Sequence, residues 1–481
     1  MEKTILIGRE KEKKTLLEIL GSKESEFVAI YGRRRVGKTF LIDEVYKEHI
    51  VFEISGLNKG NKQLQLENFT SLINQRLEAT AKLIQAPQSW LQAFFILQKY
   101  LDKLPTGKKH VVFFDELPWL AKGKSDFLAA LENFWNSWAS KRRDIILVVC
   151  GSAASWMITK IVKSRGGLHN RITRRIRLMP FNLYETELYL QSRNIQLDRY
   201  SILQIYMVMG GIPHYLKEIR RGKSAPQIID EICFSQDGLL YDEFLNLYEA
   251  LFSQPEKYID VIKALAQKPK GLTRNEIIAN CNLSSGGTTT KILESLEESG
   301  FIVKYFPIGK NLKLSIYKLS DPYSAFYLKF IENSKSKRPG SWLQKSASPS
   351  WRSWSGLAFE RLCLAHIPQI KHALGISGVY SEESSWRSPG KEEQKGAQID
   401  LIIDRADNVI NLFEIKFSQG PFVINKQYAE DLQNKIFAFR QDYSSRKSIF
   451  LAMITTFGLV ENQYSTSLIH QSLKMDVLFE K

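Results

Sequence analysis

Apolar and polar positions follow three successive patterns along the chain. In the first third, short unbroken apolar runs end at glycines or acidic residues. FVAIYGRRRVGKTFLIDEVY reads as a buried strand over 27–31, a turn and an amphipathic helix. HVVFFDELPWL places four apolar residues in a row at 111–114, the mark of a parallel strand covered on both faces. A third such strand, 145–150, runs into Gly151 and Ser152. From 258 to about 319 the pattern changes to short helices and then a hairpin. Ile259, Ile262, Leu265 and Ala266 mark one helix, and LTRNEIIANCNL a second with Thr273 as its N-cap. TTTKILESLEESGF gives a third, closed by Gly300. IVKYFPIGKNLKLSIYKL then turns around Gly309, Lys310 and Asn311. In the last third, GLAFERLCLAHI is a helix with Leu357, Ala358, Leu362 and Ala365 on one face and Glu360 off it. GAQIDLIIDRADNVINLFEIKFS follows as two strands joined by a polar turn.

The first strand ends in chemistry. Gly32, four residues, then Gly37-Lys38-Thr39 match the phosphate-binding pattern GxxxxGK[ST] between a strand and a helix. Its glycines let backbone N–H groups curl round phosphate oxygens, and the helix N-terminus adds its positive dipole end. Arg35, Val36 and Phe40 lie in the same cradle with Gly32, Gly37, Lys38 and Thr39. Lys38 reaches the β- and γ-phosphates in such a loop, and Thr39 ligates magnesium. Asp115 and Glu116, after the second strand, supply the magnesium shell and a group that orients or deprotonates water. Ser152, after the third, is placed to sense the γ-phosphate, because strand ends of an open α/β sheet collect ligands. A nucleotide triphosphatase using ATP and Mg²⁺ is the expectation.

The C-terminal hairpin raises a second chemistry. Side chains alternate along a strand, so a turn over 405–409 sets Asp400 opposite Glu414, with Lys416 converging on them. A register shifted by one residue would separate them. Two carboxylates suit a hard cation, Mg²⁺ or Mn²⁺, and the lysine can position a nucleophile for phosphodiester cleavage. An exposed hairpin also alternates Glu and Lys, but Phe413, Ile415 and Phe417 argue against free exposure.

Composition alters this picture in one respect. With 481 residues, about two to four domains are expected. Hydrophobic residues at 44% and charged residues at 25% are ordinary for a globular protein. No apolar run is long enough to span a bilayer, and the N-terminus lacks the pattern of a secretory signal. Cys150, Cys233, Cys281 and Cys363 are scattered without a CxxC pair, which fits a cytoplasmic location. The formal charge of +16, however, favours a polyanionic partner, DNA first, over a merely solvated basic surface.

Taken together, Ile7-Gly8-Arg9-Glu10, YGRRRVGKT, FFDE, CGS, LHNRITRRIRLMPF and Gly210-Gly211-Ile212-Pro213 resemble the archaeal-type ATPases of the STAND class, relatives of the AAA+ ATPases. That resemblance implies that Gly8, Arg9 and Pro213 frame the adenine and that Arg171 contacts phosphate. This family usually has a glycine and two arginines where the chain has Asn170-Arg171-Ile172. Arg171, Arg174, Arg175 and Arg177 also read as a basic rim or a DNA contact. The C-terminal third resembles the PD-(D/E)xK nuclease core, with Glu360 the acidic residue of its first helix beside Asp400 and Glu414 as metal ligands. Some such domains keep the fold and lose cleavage.

The implied fold class is α/β, with boundaries set as follows. Residues 1–180 form a P-loop ATPase core with a parallel sheet, and 181–255 a helical lid. Residues 256–332 form a winged helix, 333–355 a basic linker, and 356–481 the nuclease-like α/β domain. The winged helix either reads DNA, with 288–290 and Lys291 near the groove, or packs as a nucleotide sensor. In the linker, Lys335, Lys337, Arg338, Lys345 and Arg352 lie among Trp342, Trp351 and Trp354. Basic residues interleaved with aromatics suit a nucleic-acid strand, whereas tryptophans packed on neighbouring domains make a plain connector. A nucleotide-dependent homo-oligomer is a further expectation. The alternative function is a signalling ATPase whose C-terminal domain binds DNA or protein without cutting.

Overall fold

The computed structural model describes residues 6–77, 83–123, 125–163, 166–168, 170–308, 315–334, 339–388 and 396–481. The chain divides into two compact units, Met1–Pro180 with Glu298–Gly300, and Phe181–Glu297 with Phe301–Lys481. The expected lid, helix-and-hairpin module and C-terminal domain therefore belong to one compact unit.

The first unit is built on five parallel strands. They are β1 (Glu26–Tyr31), β2 (Ile50–Ser55), β3 (His110–Asp115), β4 (Ile145–Gly151) and β5 (Arg174–Arg177), in the order β2-β3-β4-β1-β5. Parallel pairing needs a crossover after each strand, and the intervening helices cover both faces. That is why β3 and β4 are buried along their whole length. On one face Phe27, Phe52, Val112, Phe114 and Leu147 pack with Phe69, Trp90, Phe94, Phe127 and Phe134 from helices Lys62–Arg76, Trp90–Leu101 and Phe127–Ser137. Edge-on ring pairs such as Trp90 with Phe127, centroids 4.7 Å apart, fill this layer.

In the second unit, helices Leu183–Ser192, Arg199–Met209, Pro213–Leu216, Ala225–Phe234 and Glu243–Leu251 come first. Helices Pro255–Gln267, Arg274–Asn280 and Gly287–Glu298 follow, with a small antiparallel sheet of β6 (Leu272–Thr273), β7 (Ile302–Tyr305) and β8 (Ile316–Leu319). Thr273 is the expected N-cap, and its hydroxyl and Glu276 complete a capping box. The hairpin turn at Gly309, Lys310 and Asn311 lies outside the described residues.

Two sequence expectations change here. Within the expected basic linker, 333–355, the described residues are largely helical: Ser341–Lys345 is a helix and helix Pro349–Ala365 begins there. Trp342 is fully buried, stacked on Phe234 at 5.6 Å and edge-on to Phe326 and Trp351. Asp230 holds the turn before it by accepting from the N–H groups of Gly340 and Trp342. Burying three indoles outweighs the local Ser, Pro and Lys composition, so these rings are core and cannot stack on nucleic-acid bases. Lys335, Lys337 and Arg338 lie outside the described residues. In helix Pro349–Ala365 the buried face is Trp351, Trp354, Ala358, Phe359 and Leu362, while Leu357 is exposed. Trp351 and Trp354 in its first turns set that face, which continues through Ala358 and Leu362 rather than Leu357.

The C-terminal sheet is mixed. It comprises β9 (Ser381–Ser388), β10 (Ala397–Arg405), β11 (Val409–Lys416), β12 (Ser448–Thr455) and β13 (Gln471–Lys474), in the order β13-β12-β11-β10-β9. Helix Lys426–Asp442 lays Ala429, Leu432 and Phe439 on Ile402, Ile410, Leu412 and Met453.

Candidate functional sites in the two units

In the first unit the strand ends gather the expected residues. β4 separates β1 from β3, and the registers Tyr31↔Gly151 and Ser55↔Asp115 align their C-terminal ends. Between Tyr31 and helix Lys38–Tyr46 the chain turns back through Arg35 (φ 68°) and Gly37 (φ 89°). Gly32 is required, because a side chain there would strike the Leu178 carbonyl. Lys38 Nζ donates to the carbonyls of Gly32 (3.1 Å) and Arg33 (3.0 Å), lying along the loop where phosphates would replace them. Val36 is buried, and its carbonyl accepts from Arg9 Nη2 at 3.2 Å. Gly8 and Arg9 both have left-handed backbone, which opens helix Glu10–Leu20 and brings Arg9 onto the loop. Phe40 is half-buried in the first turn of helix Lys38–Tyr46.

The carboxylates are placed by the same strand ends. Thr39 Oγ1 donates to Asp115 Oδ2 at 2.8 Å. Glu116 is left-handed (φ 45°), a strained conformation for a non-glycine residue. Its Oε2 accepts from the Ser152 hydroxyl (2.8 Å) and N–H (3.2 Å). Ser152 therefore holds Glu116.

Two carboxylates that the motifs do not name join this set. Burial and then the Asp115 charge raise the pKa of Asp43, and burial and then Asp43 and Asp115 raise that of Glu53. Asp43 Oδ1 is buried with no hydrogen-bond partner. This excess of negative charge around Thr39 fits a divalent cation, with Thr39 and Asp115 as the residues to hold it.

Arg171 lies in an exposed turn ahead of β5, its N–H donating to the Leu168 carbonyl. Pro213 opens helix Pro213–Leu216 in the second unit, where the Phe181 N–H donates to the Gly211 carbonyl.

In the second unit the hairpin has the register that unites its carboxylates. Leu401 pairs with Phe413 and Asp404 with Ile410, so Asp400 falls opposite Glu414. Asp400 Oδ2 accepts from the Ile415 N–H at 3.1 Å. Against β9 the register of β10 slips between Ile399 and Ile402, an irregularity that spans Asp400 and Leu401. Bulges of this kind re-aim a side chain beside a site. Asp400 has its pKa pushed up to about 7, first by burial, then by the charges of Glu414 and Glu360.

Glu414 is almost fully buried and heavily engaged. Lys435 Nζ lies 2.5 Å from Oε1, while Tyr428 Oη (3.1 Å) and Lys416 Nζ (3.5 Å) meet Oε2. Glu360 departs from expectation. Its carboxylate turns to Lys318 Nζ at 3.7 Å. Among the described residues no three His, Cys, Asp or Glu side chains gather as a metal cluster. Of the expected ligand set Glu360, Asp400 and Glu414, only Asp400 and Glu414 face each other across the strand pair, and Glu360 is paired with Lys318. A buried and an adjoining half-buried carboxylate, the latter with its proton affinity raised, still fit a divalent cation. Lys435 and Tyr428 carried one signal in the sequence: Tyr428, Leu432, Lys435 and Phe439 form one helical stripe, with a lysine in an otherwise core-facing row.

Comparison with known proteins agrees with the first of these sites. Residues 6–219 match the family described as an ATPase domain predominantly from Archaea. An uncharacterized protein of Methanocaldococcus jannaschii is 25% identical over 438 residues, covering 90% of this chain and 92% of its own. Among solved structures, a Walker-type ATPase of Pyrococcus abyssi matches with a TM-score of 0.48 at 18% identity, over 68% of this chain and 96% of its own. The Aeropyrum pernix ORC2 protein matches with a TM-score of 0.42 at 16% identity, over 72% and 98%. Among the described residues no helix is long and apolar enough to cross a membrane. Over residues 6–219, less than half of its length, this chain is similar to the predominantly archaeal ATPase domain.

Proposed function

We propose that the chain is an ATP-hydrolysing, DNA-associated protein of the STAND class. In this reading its nucleotide state controls a winged helix at 256–332 and a metal-dependent nuclease-like domain at 356–481. The observation that carries the DNA reading is the pairing of half-buried Asp400 with buried Glu414 beside Lys416, in a chain of net charge +16.

In the ATPase domain, Lys38 leaves the loop carbonyls for the β- and γ-phosphates, and Thr39 and Asp115 hold magnesium. Magnesium supplies neutralisation of the phosphate charge. Glu116 orients or deprotonates the attacking water, and Ser152, bound to Glu116, relays the state of the γ-phosphate side. Arg9 ties the N-terminal turn to the loop that holds the nucleotide. Arg171, exposed, is available to phosphate, on its own or a neighbouring subunit of a nucleotide-dependent oligomer. In the nuclease-like domain, Asp400 and Glu414 hold Mg²⁺ or Mn²⁺, which supplies an activated water, and Lys416 positions the nucleophile.

A second reading rests on the Lys435–Glu414 ion pair, which neutralises a would-be ligand. It makes the domain a regulatory DNA- or protein-binding module that does not cut. Both readings that place the chain on DNA share one expected outcome. With ATP present, duplex DNA is retained at low salt, and the logarithm of the affinity falls linearly with the logarithm of salt concentration. A filter-binding titration measures this, and absence of retention even at low salt would contradict the DNA reading.

A further inference from the structure

Glu414 carries more positive charge than a buried carboxylate needs. Two ammonium groups, Lys435 on Oε1 and Lys416 on Oε2, share it with the Tyr428 hydroxyl. They arrive differently. Lys416 comes from the same strand two residues on, and lies over the Tyr428 ring at 5.4 Å. Lys435 comes from helix Lys426–Asp442, on the stripe that otherwise buries Leu432 and Phe439 against the sheet. A lysine on such a stripe loses hydration and rotamer freedom, so it needs a partner that repays both. Yet a quarter of its side chain remains open to solvent, enough for a flexible stem to swing its head out.

Resting on the reading of Asp400 and Glu414 as cation ligands, we propose that Lys435 is a built-in counterion for Glu414 that must withdraw before a divalent cation binds there. Lys435 thereby sets the cation affinity of the site. Its ammonium neutralises the oxygen that a cation would take, so the two charges compete for Glu414. Tyr428 is a neutral donor on the other oxygen and holds Glu414 in place in both states. With Lys435 seated, the buried carboxylate is balanced without metal, and the fold does not depend on metal loading. With Lys435 withdrawn, Oε1 of Glu414 is freed, only Lys416 on Oε2 still balances the two facing carboxylates, and a divalent cation is favoured.

Mn²⁺ binding to the full nucleotide-free chain, followed by electron paramagnetic resonance at pH 8, tests this. The signal counted is the binding that Asp400→Asn removes. Lys435→Met is expected to tighten that binding about tenfold, and Lys435→Arg to leave it near wild type, because only the first removes the competing charge. Mn²⁺ should also raise the melting temperature more in Lys435→Met than in wild type. Should Lys435→Met fold poorly, Lys435→Gln keeps a hydrogen-bond donor without the charge and is expected to tighten binding in the same sense. A purely structural lysine would lower stability without tightening Mn²⁺ binding. Unchanged or weaker Mn²⁺ affinity in folded Lys435→Met or Lys435→Gln overturns this proposal alone. Absence of Asp400-dependent Mn²⁺ binding in every protein overturns it together with the cation site proposed for Asp400 and Glu414.

Discussion

Lys38→Ala is expected to abolish ATP hydrolysis, lowering the rate by about two to three orders of magnitude, the scale of removing a preorganised charge from a reaction centre. Lys38 Nζ rests on the Gly32 and Arg33 carbonyls, within the turn formed by Arg35 and Gly37. It spends the free state on backbone oxygens that phosphate oxygens can replace. Alanine leaves those carbonyls without this donor and the phosphates without their cation, while the sheet below is untouched. A steady-state phosphate-release assay reads the effect directly. Hydrolysis at the wild-type rate would remove Lys38 from the reaction.

Asp400→Ala is expected to eliminate divalent-cation binding in the C-terminal domain, and the wild-type site should lose its cation as the solution is acidified. The sign follows from the raised pKa of Asp400, about 7, caused by burial and then by Glu414 and Glu360. Below that pH the carboxyl carries a proton that a cation must expel. Affinity is therefore expected to fall about tenfold for each pH unit below 7 and to level off above it. The stability of the metal-free fold changes in the opposite direction. A carboxyl whose folded pKa is raised contributes stability that is fully present in acid and is lost as pH climbs from the ordinary carboxylate range to about 7. Calorimetric titration with Mn²⁺ at pH 6, 7 and 8 checks the first effect, and a pH-independent affinity would contradict it.

Some of this was legible in the residues because local rules and tertiary structure agree. A strand, GxxxxGKT and a helix in succession specify the phosphate loop wherever they fold, and Asp115 and Glu116 follow from an apolar run ending in acid. The Asp400–Glu414 register was legible from strand alternation and the turn between them. What escaped depends on residues far apart in sequence. Lys435 meets Glu414 only because a helix folds back over the sheet, Glu53 joins Asp115 only once β2 lies beside β3, and Asp43 comes to Asp115 from helix Lys38–Tyr46. The register shift between Ile399 and Ile402 against β9 is a further feature that strand alternation cannot show. Trp342, Trp351 and Trp354 left base stacking and packing both open, and packing is decided by Phe234, Phe326 and Phe330, which are distant in sequence. Glu360 was recognised by position, but Lys318 on β8 decides where its carboxylate points.

The central claim, that a nucleotide-driven chain acts on DNA through Asp400 and Glu414, meets its most direct test in one gel. Supercoiled plasmid is incubated with Mg²⁺ or Mn²⁺ and ATP, using wild type, Lys38→Ala and Asp400→Ala side by side. The expected result is nicking or linearisation by wild type, none by Asp400→Ala, and loss of the ATP dependence in Lys38→Ala. Equal behaviour of wild type and Asp400→Ala, whether both cut or neither does, would contradict it.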